Sequence, residues 1–343
     1  MDSQSIRAIS EINGTTTSRE SVILLVDATL NVPNGGFVNR NFSIIGTAGY
    51  IAPRHLKAIK DTGSNLLAAF DVNDSVGILD KYFPNVPFFT KFEQFHSYSS
   101  ELNRANPNTG IEYVAICSPN YLHCSHIQHA LRIGANAICE KPLIINPDEF
   151  EILSTIQNET GREIKTILQL RVHKTIQSLR TRILLEPTSR RHQVNLIYVT
   201  PRGPWYFSSW KGDISKSGGI AMNIGIHFFD MLLWVFGPVH ELCVHSRDEK
   251  RISGKLELER ASVQWSLSID RNDNPHKSSS GGFRLLALDG EEIDFTDGFT
   301  ELHTQVYKEI FTGGGFGLED ARPAVMLAHQ ISSADPGKSI SIK

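Results

Sequence analysis

Cysteine is scarce in this 343-residue chain, which contains only Cys117, Cys124, Cys139 and Cys243. No two of them have the Cys-x-x-Cys spacing of a redox or zinc motif, and their density is far below that of a disulfide-stabilised secreted domain. Two of them end apolar segments, where a thiol packs like a small hydrophobic side chain. We therefore expect reduced cysteines, no metal site and a cytoplasmic location.

Excess charge and long apolar runs are also lacking. Lys and Arg number 34 against 37 Asp and Glu, a net charge of −3, which argues against nucleic acid as a main partner. A polyanionic small ligand would need a local basic pocket. No apolar run approaches the ~20 residues of a membrane-spanning helix, so we expect no membrane partner. The stretch Ser21–Leu30 is too short for a signal peptide and is interrupted by Asp27.

Length and composition indicate a globular protein of two domains. A chain of 343 residues, 40% hydrophobic and 21% charged, exceeds what one hydrophobic core usually organises. Residues 1–41 are rich in Ser, Thr, Asn and Gly. We expect them to form a poorly ordered extension, of the kind that an upstream translation start adds, with one marginal strand at Val22–Val26. We place a first domain at residues 42–165 and a second at residues 166–343.

The first domain alternates apolar and helical patterns. Its short apolar segments are typical of buried parallel strands. These segments are Phe42–Ile45, Leu66–Phe70, Tyr113–Cys117, Ala135–Cys139 and Ile164–Leu170. Helices are predicted over Ala52–Lys60 and His123–Ile133, and a third begins at Asn146-Pro147-Asp148-Glu149, with Asn146 as its N-cap. The alternation predicts an α/β fold with a Rossmann-type, doubly wound parallel sheet.

The second domain has a different pattern. Val263–Ile269 alternates apolar and polar residues, which is typical of an antiparallel strand. Phe283–Leu288 and Glu291–Phe295 flank Asp289-Gly290 and predict a hairpin. Further strand and helix candidates are Leu196–Thr200, Val239–His245, Gly219–Phe236 and a segment with Leu302, Val306 and Ile310. We expect an α+β domain with a large, open, mainly antiparallel sheet.

A glycine turn links the first predicted strand to the first predicted helix. The segment Gly46–Ala52 has the position of a dinucleotide-binding turn, in which the backbone approaches a pyrophosphate at a helix N-terminus. One residue is inserted in the turn, and Ala52 replaces the final glycine. Asp71 ends the next strand about 20 residues later, where an acidic side chain holds a ribose 2′-hydroxyl. A plain tight turn and a strand-end turn residue are the alternatives. Together the two features favour NAD over NADP, and the cofactor-binding candidates are Gly46, Ala48, Gly49, Tyr50, Ile51 and Asp71.

Two further polar segments follow predicted strands. Ser118, Asn120 and His123 come after the third strand and are equally compatible with helix capping and with cofactor contact. Lys141 stands between Glu140 and a proline after the fourth strand. A lysine there is poorly placed for a solvated charge and well placed to reach a ligand at the carboxyl edge of the sheet.

A third polar pair lies in the second domain. Asn223 and His227 are four residues apart, on one face of a predicted helix that Ser217-Gly218-Gly219 opens. A lone histidine among apolar neighbours is more often a satisfied core residue. The nearby glycines, which allow close approach, and the lysine of the first domain favour a chemical role.

In this order and spacing, the motifs resemble the Gfo/Idh/MocA oxidoreductase family over roughly residues 42–330. The matching segments are Gly49–Ala52 with His55, Ser118–Asn120 with His123, Glu140–Pro142 and Gly218–Asp230. Within that family, the chain is most similar to the branch that acts on UDP-N-acetyl-2-amino-2-deoxyglucuronate in bacterial lipopolysaccharide synthesis. The segments that carry this similarity are Ala48–Lys60, Gln169–His173, Trp205–Asp213 and Gly315–Arg322.

The resemblance implies NAD-dependent oxidation of the sugar's 3′-hydroxyl to a ketone. His227 suits the general base because the pKa of histidine is ordinarily near 6.5. The Lys141 ammonium can stabilise the developing alkoxide or share the proton. The family also implies a special, cis geometry at Pro142 and cofactor contacts from Glu140 and Lys141. Many relatives have aspartate in place of Asn223, so a scheme with a carboxylate there does not apply; the amide can orient the substrate or His227.

The implied substrate carries a pyrophosphate and a uronate, so cations must converge on it. Besides Lys141, Asn223 and His227, the substrate-binding candidates are Arg171, Arg202, Trp205, Tyr206, Lys216 and Ser217, each also compatible with a solvated or interdomain position. The open sheet predicts a homodimer or homotetramer, and 2-oxoglutarate is a candidate hydride acceptor. Two alternatives stay open: a dehydrogenase of another sugar or polyol, such as an inositol, and a non-catalytic dinucleotide-binding regulator.

Overall fold

The computed structural model describes residues 39–106, 108–276, 281–295, 299 and 301–342, all within one compact unit. Residues 1–38 of the expected extension, with its strand at Val22–Val26, lie outside the described residues; Asn41, the last residue of that extension, instead begins the first strand of the parallel sheet. The division at residues 165 and 166 stays a prediction.

The first half forms a six-stranded parallel sheet. Its strands are β1 (Asn41–Ile45), β2 (Asn65–Phe70), β3 (Phe88–Phe89), β4 (Tyr113–Ile116), β5 (Asn136–Cys139) and β6 (Ile164–Thr166). They lie in the order β3-β2-β1-β4-β5-β6, with every pair parallel. The direction of winding reverses between β1 and β4, which creates a crevice at the carboxyl edge, where doubly wound sheets bind ligands. The predicted Rossmann sheet is confirmed; β3 was not predicted.

Helices cover both faces of this sheet. They are α1 (Ala52–Asp61), α2 (Ile78–Tyr82), α3 (Phe92–Ala105), α4 (His123–Arg132) and α5 (Glu149–Thr160). The positions of α1 and α4 match the prediction. The predicted start of α5 was wrong by two residues: its N-cap is Asp148, not Asn146. The Asn146 side chain instead accepts the Asp148 amide at 3.1 Å, in a turn just before the helix.

The strand predicted over Ile164–Leu170 was too long. It ends at Thr166, whose amide bonds to the Phe316 carbonyl at 2.9 Å, and a 3₁₀ turn, Gln169–Val172, follows. That turn directs Arg171 away from the sheet and into a buried ion pair with Asp230.

The second half forms a seven-stranded mixed sheet. Its strands are β7 (His192–Val199), β8 (Val239–Arg247), β9 (Arg251–Leu258), β10 (Ala261–Ser268), β11 (Phe283–Leu288), β12 (Glu291–Glu292) and β13 (Ser339–Ser341). The order is β12-β11-β7-β10-β9-β8-β13, and all pairs are antiparallel except β7 with β10. The mainly antiparallel sheet and the hairpin β11–β12 are confirmed; β9 and β13 were not predicted. In β9, Ile252, Leu256 and Leu258 are buried, while the intervening side chains are partly exposed on the open face.

Five helices accompany the second sheet in the described residues. They are α6 (Lys174–Leu185), α7 (Ile214–Ser217), α8 (Ile226–Phe236), α9 (Leu302–Phe311) and α10 (Leu318–Ser333). The helix predicted over Gly219–Phe236 is divided: a π-helical turn, Ala221–Gly225, precedes α8. Gly237 ends it as predicted. The α9 helix packs back onto the first half, where Tyr307 stacks on Phe42 with ring centroids 5.7 Å apart.

The segment Ile214–Phe236 is long and apolar enough to cross a membrane by length and composition alone. The sequence expectation that no run approaches that length was therefore too strict. Its most apolar stretch is 67% buried inside the protein, and buried core helices meet the same criterion. Phe228, Phe229 and Leu232, for example, pack in the hydrophobic core.

Candidate active site

The glycine turn after β1 lies against the ends of β2 and β4. Gly46 has φ +89°, and a Cβ there would lie 2.6 Å from the backbone of Cys117 and Ser118. Its amide donates to the Phe70 carbonyl at 2.8 Å. Only glycine combines this backbone conformation with such close approach of a neighbouring strand.

Asp71 lies beside this turn, at the end of β2. Its carboxylate accepts the Ala48 amide at 2.9 Å and the Asn73 amide at 2.8 Å. Tyr50 is 89% exposed and Ile51 is half-buried just before α1. The tight turn, the N-terminus of α1 and a carboxylate at the end of the second strand together fit a dinucleotide with a free ribose 2′-hydroxyl.

Ser118, Asn120 and His123 have partners inside the protein. Ser118 Oγ lies 2.8 Å from His126 Nδ1. The two ring nitrogens of His123 face the Pro142 carbonyl at 2.7 Å and the Ser118 carbonyl at 2.9 Å. Burial lowers the pKa of His123 although both carbonyls favour its charged form. His123 therefore ties the ends of β4 and β5 together; cofactor contact stays a prediction for all three predicted residues.

Asn120 connects the two halves of the molecule. Its Nδ2 donates to the Ser217 carbonyl at 3.0 Å and to Asn223 Oδ1 at 3.3 Å. Asn223 in turn donates to the Tyr206 hydroxyl at 3.5 Å. The structure thus brings four of the predicted site residues into one hydrogen-bonded group.

Lys141 follows β5, and its peptide bond to Pro142 is cis. Its Nζ donates to the Asn223 carbonyl at 3.2 Å, within the π-helical turn that precedes His227. Burial lowers the pKa of Lys141, Glu140 opposes that shift, and the Arg202 charge adds to it. The lysine predicted from the first half therefore does meet the helix predicted from the second.

His227 lies one turn beyond Asn223, with its ring packed 4.8 Å from that of Phe228. Its Nδ1 is buried and has no hydrogen-bond partner among the residues the structure describes. Burial lowers the pKa of His227 well below 6.5, and the charges of Lys141 and Arg284 lower it further. The imidazole is consequently neutral near neutral pH and available to accept a proton.

Glu140 belongs to a buried network behind Lys141 that sequence reasoning did not find. Glu140 Oε1 accepts from His303 Nε2 at 2.7 Å and from His55 Nε2 at 3.0 Å, and His55 Nδ1 lies 2.7 Å from the Tyr307 hydroxyl. Burial alone would raise the pKa of Glu140, but the two histidines hold it well below its ordinary value. His55 was noted only as part of a motif, and no local signal marks His303 or Tyr307.

The same three atoms of His55, Glu140 and His303 lie within 4.8 Å of one another, a spacing that a metal ion could use. One carboxylate oxygen already accepts both imidazole N–H groups, at 2.7 and 3.0 Å. A metal ion would have to displace both protons. We therefore interpret the cluster as a hydrogen-bonded support for Glu140, whose Oε2 accepts the Lys141 amide at 3.1 Å.

Arg171 is held by acidic groups of the protein itself. Its guanidinium donates to both oxygens of the buried Asp230, at 3.0 and 2.6 Å, and to the side chain and carbonyl of Asp320, at 3.1 and 2.9 Å. It also lies 5.2 Å from the Phe316 ring. These partners leave the guanidinium without a free bidentate edge and correspond to the interdomain alternative for Arg171; a substrate contact stays a prediction.

Other predicted substrate residues surround the Asn223 group. Tyr206 is buried, whereas Trp205 is 53% exposed, with Lys211 Nζ 5.9 Å from its ring. Arg202 is close enough to shift the pKa of Lys211, which burial lowers first and the Arg202 charge lowers further. The Lys216 side chain is exposed, and its Nζ pairs with Asp213 at 3.3 Å.

Ser217, also predicted to bind substrate, is fully buried. Its hydroxyl donates to the Asp213 carbonyl at 2.9 Å and accepts the Gly219 amide at 3.1 Å. These bonds shape the turn before the π-helical segment and leave the Ser217 carbonyl for Asn120.

Two family models match the chain. The oxidoreductase family, NAD-binding Rossmann fold, matches residues 40–166. The oxidoreductase family, C-terminal alpha/beta domain, matches residues 191–270. The matches correspond to the parallel sheet and to part of the mixed sheet.

Solved structures include similar proteins. The WlbA (WbpB) dehydrogenase from Thermus thermophilus, in complex with NAD and alpha-ketoglutarate, is 45% identical, with a TM-score of 0.83 over 87% of this chain and 96% of that chain. Its complex with NAD and UDP-GlcNAcA matches at 44% identity and the same TM-score, 0.83, with the same coverage. Among curated proteins, D-glucoside 3-dehydrogenase from Escherichia coli is 28% identical over 137 residues, 37% of this chain and 36% of that protein. The chain thus matches only about a third of the length of the curated relatives.

Proposed function

Because the chain belongs to the Gfo/Idh/MocA oxidoreductase family, we propose that it is an NAD-dependent dehydrogenase of UDP-N-acetylglucosaminuronate. It oxidises the sugar's 3′-hydroxyl to the 3-keto sugar. The observation that carries this proposal is the bond from Lys141 Nζ to the Asn223 carbonyl, which places an ammonium group one turn from a neutral histidine. A regulator without catalysis would have no need of this pair.

The residues of this chain divide the work of alcohol oxidation. His227 takes the hydroxyl proton, since its lowered pKa keeps the imidazole neutral. Lys141 stabilises the oxygen as negative charge develops on it. Asn223 orients the sugar, with Tyr206 and Asn120 fixing its amide. NAD bound at the glycine turn supplies the hydride acceptor.

The cofactor is held by the residues of the crevice edge. Gly46, Ala48, Gly49, Tyr50 and Ile51 form the turn under its pyrophosphate, and Asp71 takes the ribose hydroxyl. The remaining cofactor contacts in this proposal are Ser118, Asn120, His123, Glu140 and Lys141.

The diphosphate of the substrate lies on the exposed side of the site. Arg202 and Lys211 are the cations there, and Trp205 offers an exposed ring for the uracil. Lys216 and Ser217, both in α7, are the remaining substrate-binding residues of this proposal.

We also propose the cellular setting. The protein works in the cytoplasm, in the synthesis of lipopolysaccharide sugars, as a homodimer or homotetramer that covers the open face of the mixed sheet. 2-Oxoglutarate reoxidises the bound NADH; the bound alpha-ketoglutarate of the Thermus thermophilus neighbour supports this.

A turnover assay tests the proposal. Purified protein with NAD and UDP-N-acetylglucosaminuronate should form NADH, and added 2-oxoglutarate should sustain turnover. Myo-inositol and free N-acetylglucosamine serve as competing substrates. Turnover of the inositol without turnover of the nucleotide sugar would reject the proposal.

A further inference from the structure

Arg284 is a cation that none of the assignments above uses. It lies on β11, opposite Tyr198 of β7, on the same side of the strand as the buried Leu286 and Leu288. Aromatic rings surround its guanidinium: the carbon Cζ lies 5.6 Å from the ring centroid of Tyr198 and 5.9 Å from that of Phe228.. The Phe295 and Phe299 centroids are at 5.0 and 4.4 Å.

This cation lacks an anion in the part of the chain that the structure describes. No carboxylate contributes to its electrostatic surroundings there; burial lowers the pKa of Arg284, and Tyr198 opposes that shift. Its Nε is buried without a hydrogen-bond partner among the described residues. Aromatic faces attract a cation but do not accept its N–H groups; the Tyr198 hydroxyl makes one side-chain hydrogen bond to the guanidinium, and Nε is left without one in the described part of the chain. A half-buried guanidinium in this state is prepared for an anionic ligand.

Arg284 also belongs to the catalytic neighbourhood. The ring of His227 lies 4.8 Å from Phe228 and 6.4 Å from Tyr198, the two rings that Arg284 contacts on β7 and α8. The Arg284 charge reaches His227, because it helps to lower the pKa of that histidine after burial and Lys141. An anion bound by Arg284 would therefore belong to the molecule that reacts at His227.

We propose that Arg284 binds the carboxylate that the uronate substrate and 2-oxoglutarate have in common; this rests on the proposed function. In the uronate, three carbon–carbon bonds separate the reacting C3 from the carboxylate carbon C6. In 2-oxoglutarate, three carbon–carbon bonds also separate the reacting C2 from the distal carboxylate carbon C5. One fixed cation can thus hold either carboxylate while the reacting carbon lies at the same place beside His227.

The hydride and the proton are both accounted for when the two half-reactions take place at this site. The uronate C3 loses a hydride and its hydroxyl loses a proton to His227, leaving a ketone. The keto carbon of 2-oxoglutarate gains a hydride and its oxygen gains a proton from His227, giving 2-hydroxyglutarate. The dinucleotide is restored to its oxidised form and His227 to its neutral form. Arg171, fully engaged with Asp230 and Asp320, is not available for the carboxylate.

The chain length of the keto acid is the first test, and it uses the unaltered protein. Binding of 2-oxoglutarate, oxaloacetate, 2-oxoadipate and pyruvate is measured by calorimetry on the NADH-loaded protein, alongside NADH reoxidation. We expect the tightest binding and fastest reoxidation with 2-oxoglutarate, since the distal carboxylate is one bond nearer in oxaloacetate, one farther in 2-oxoadipate and missing in pyruvate. Equal binding of pyruvate and 2-oxoglutarate would overturn the inference.

The second test replaces the cation. Arg284→Gln should weaken 2-oxoglutarate binding, and lower kcat/KM for the uronate, by about 30-fold or more, as expected for loss of a desolvated charge pair. Pyruvate binding should change little, and so should kcat/KM for UDP-N-acetylglucosamine, which has a hydroxymethyl group in place of the carboxylate. Arg284→Lys should restore part of the preference for carboxylates.

Arg180→Gln is the matched control. Arg180, on α6, lies 4.5 Å from the Trp234 ring and donates to the Trp234 carbonyl, and it is not among the residues assigned to the site above. If Arg284→Gln lowers binding of carboxylate and non-carboxylate ligands alike, Arg284 has only a structural role and the inference fails. If the unaltered protein turns over no UDP-N-acetylglucosaminuronate, the proposed function fails instead. In that case, binding of the keto acid series to the unaltered protein still decides whether Arg284 selects carboxylates.

Discussion

Replacing Arg171 with methionine should destabilise the protein severely while leaving substrate binding in the folded fraction intact. The substitution removes the guanidinium but keeps a long apolar side chain beside Phe316. Asp230, only 1% exposed, would lose both of its charge-assisted hydrogen bonds, at 3.0 and 2.6 Å. Breaking a buried pair by removing one partner costs about 3–5 kcal/mol, because a charge stays buried without compensation. The melting temperature should fall by about 4–8 °C, since a chain of this length has a large entropy of unfolding.

The loss should also depend on pH in a defined direction. Burial raises the pKa of Asp230 above 3.8 in the folded protein, and Arg171 opposes that shift. Without Arg171, the pKa in the folded state rises further, so the folded variant binds a proton more readily than the unfolded chain. Stability then increases as pH falls through the raised pKa towards 3.8. The difference in stability between the Arg171→Met variant and the unaltered protein should therefore be largest at neutral pH and shrink on acidification.

Thermal melts at several pH values, with KM for the nucleotide sugar, test this account. The control is the double variant Arg171→Met/Asp230→Leu, which removes the stranded charge and should recover much of the lost stability. A variant that keeps its melting temperature but shows a raised KM would refute the structural role. It would instead support the sequence hypothesis that Arg171 binds the substrate.

Four further predictions concern the site. His227→Asn should lower kcat by about 10²–10⁴-fold with an unchanged Kd for NAD. Lys141→Met should move the acid limb of the pH profile of kcat/KM to higher pH, because the Lys141 charge lowers the pKa of His227. An acid limb that does not move would show that the Lys141 charge does not act on His227. Asp71→Ala should lower the ratio of the Kd for NADP to the Kd for NAD, because the carboxylate disfavours a 2′-phosphate. An unchanged ratio would show that Asp71 does not contact the ribose. Gly46→Ala should lower the stability by about 2–5 kcal/mol, because the backbone of Gly46 is left-handed and a Cβ would lie 2.6 Å from the backbone of Cys117 and Ser118, just after β4. It should also abolish NAD binding in calorimetry. Gly77→Ala, where a Cβ would lie in open space, should do neither.

Most strands and helices of the first domain could be predicted from local sequence patterns. Mostly apolar strands such as Phe42–Ile45 and Tyr113–Cys117 are typical of a parallel sheet. A glycine such as Gly63 marks the end of a helix. The missed strand β9 had a readable signal: Ile252, Leu256 and Leu258 alternate with polar and charged residues. The parallel pairing of β7 with β10 had none, because it depends on a connection that a strand pattern does not encode.

A candidate site residue could be proposed from the sequence where its own segment carries the signal. Contacts between segments that are distant in sequence could not be predicted. Lys141 and His227 each had an unusual local setting, so their chemistry could be inferred before their proximity. The ion pairs of Arg171 could not be read from its own segment, because its carboxylate partners lie 59 and 149 residues away in sequence. His303, 163 residues from Glu140, had no local signal at all.

The packing of α9 against the first half of the molecule affects how domains can be exchanged between members of the family. Leu302, Val306 and Tyr307 complete the core around Phe42, and His303 closes the network on Glu140. The cofactor-binding half is therefore discontinuous in sequence, and the end of its family match at residue 166 is not its end in space. A chimera joined at that point would pair Glu140 with a foreign helix. A functional exchange between relatives would have to carry α9 together with the Rossmann segment, as a single inherited unit.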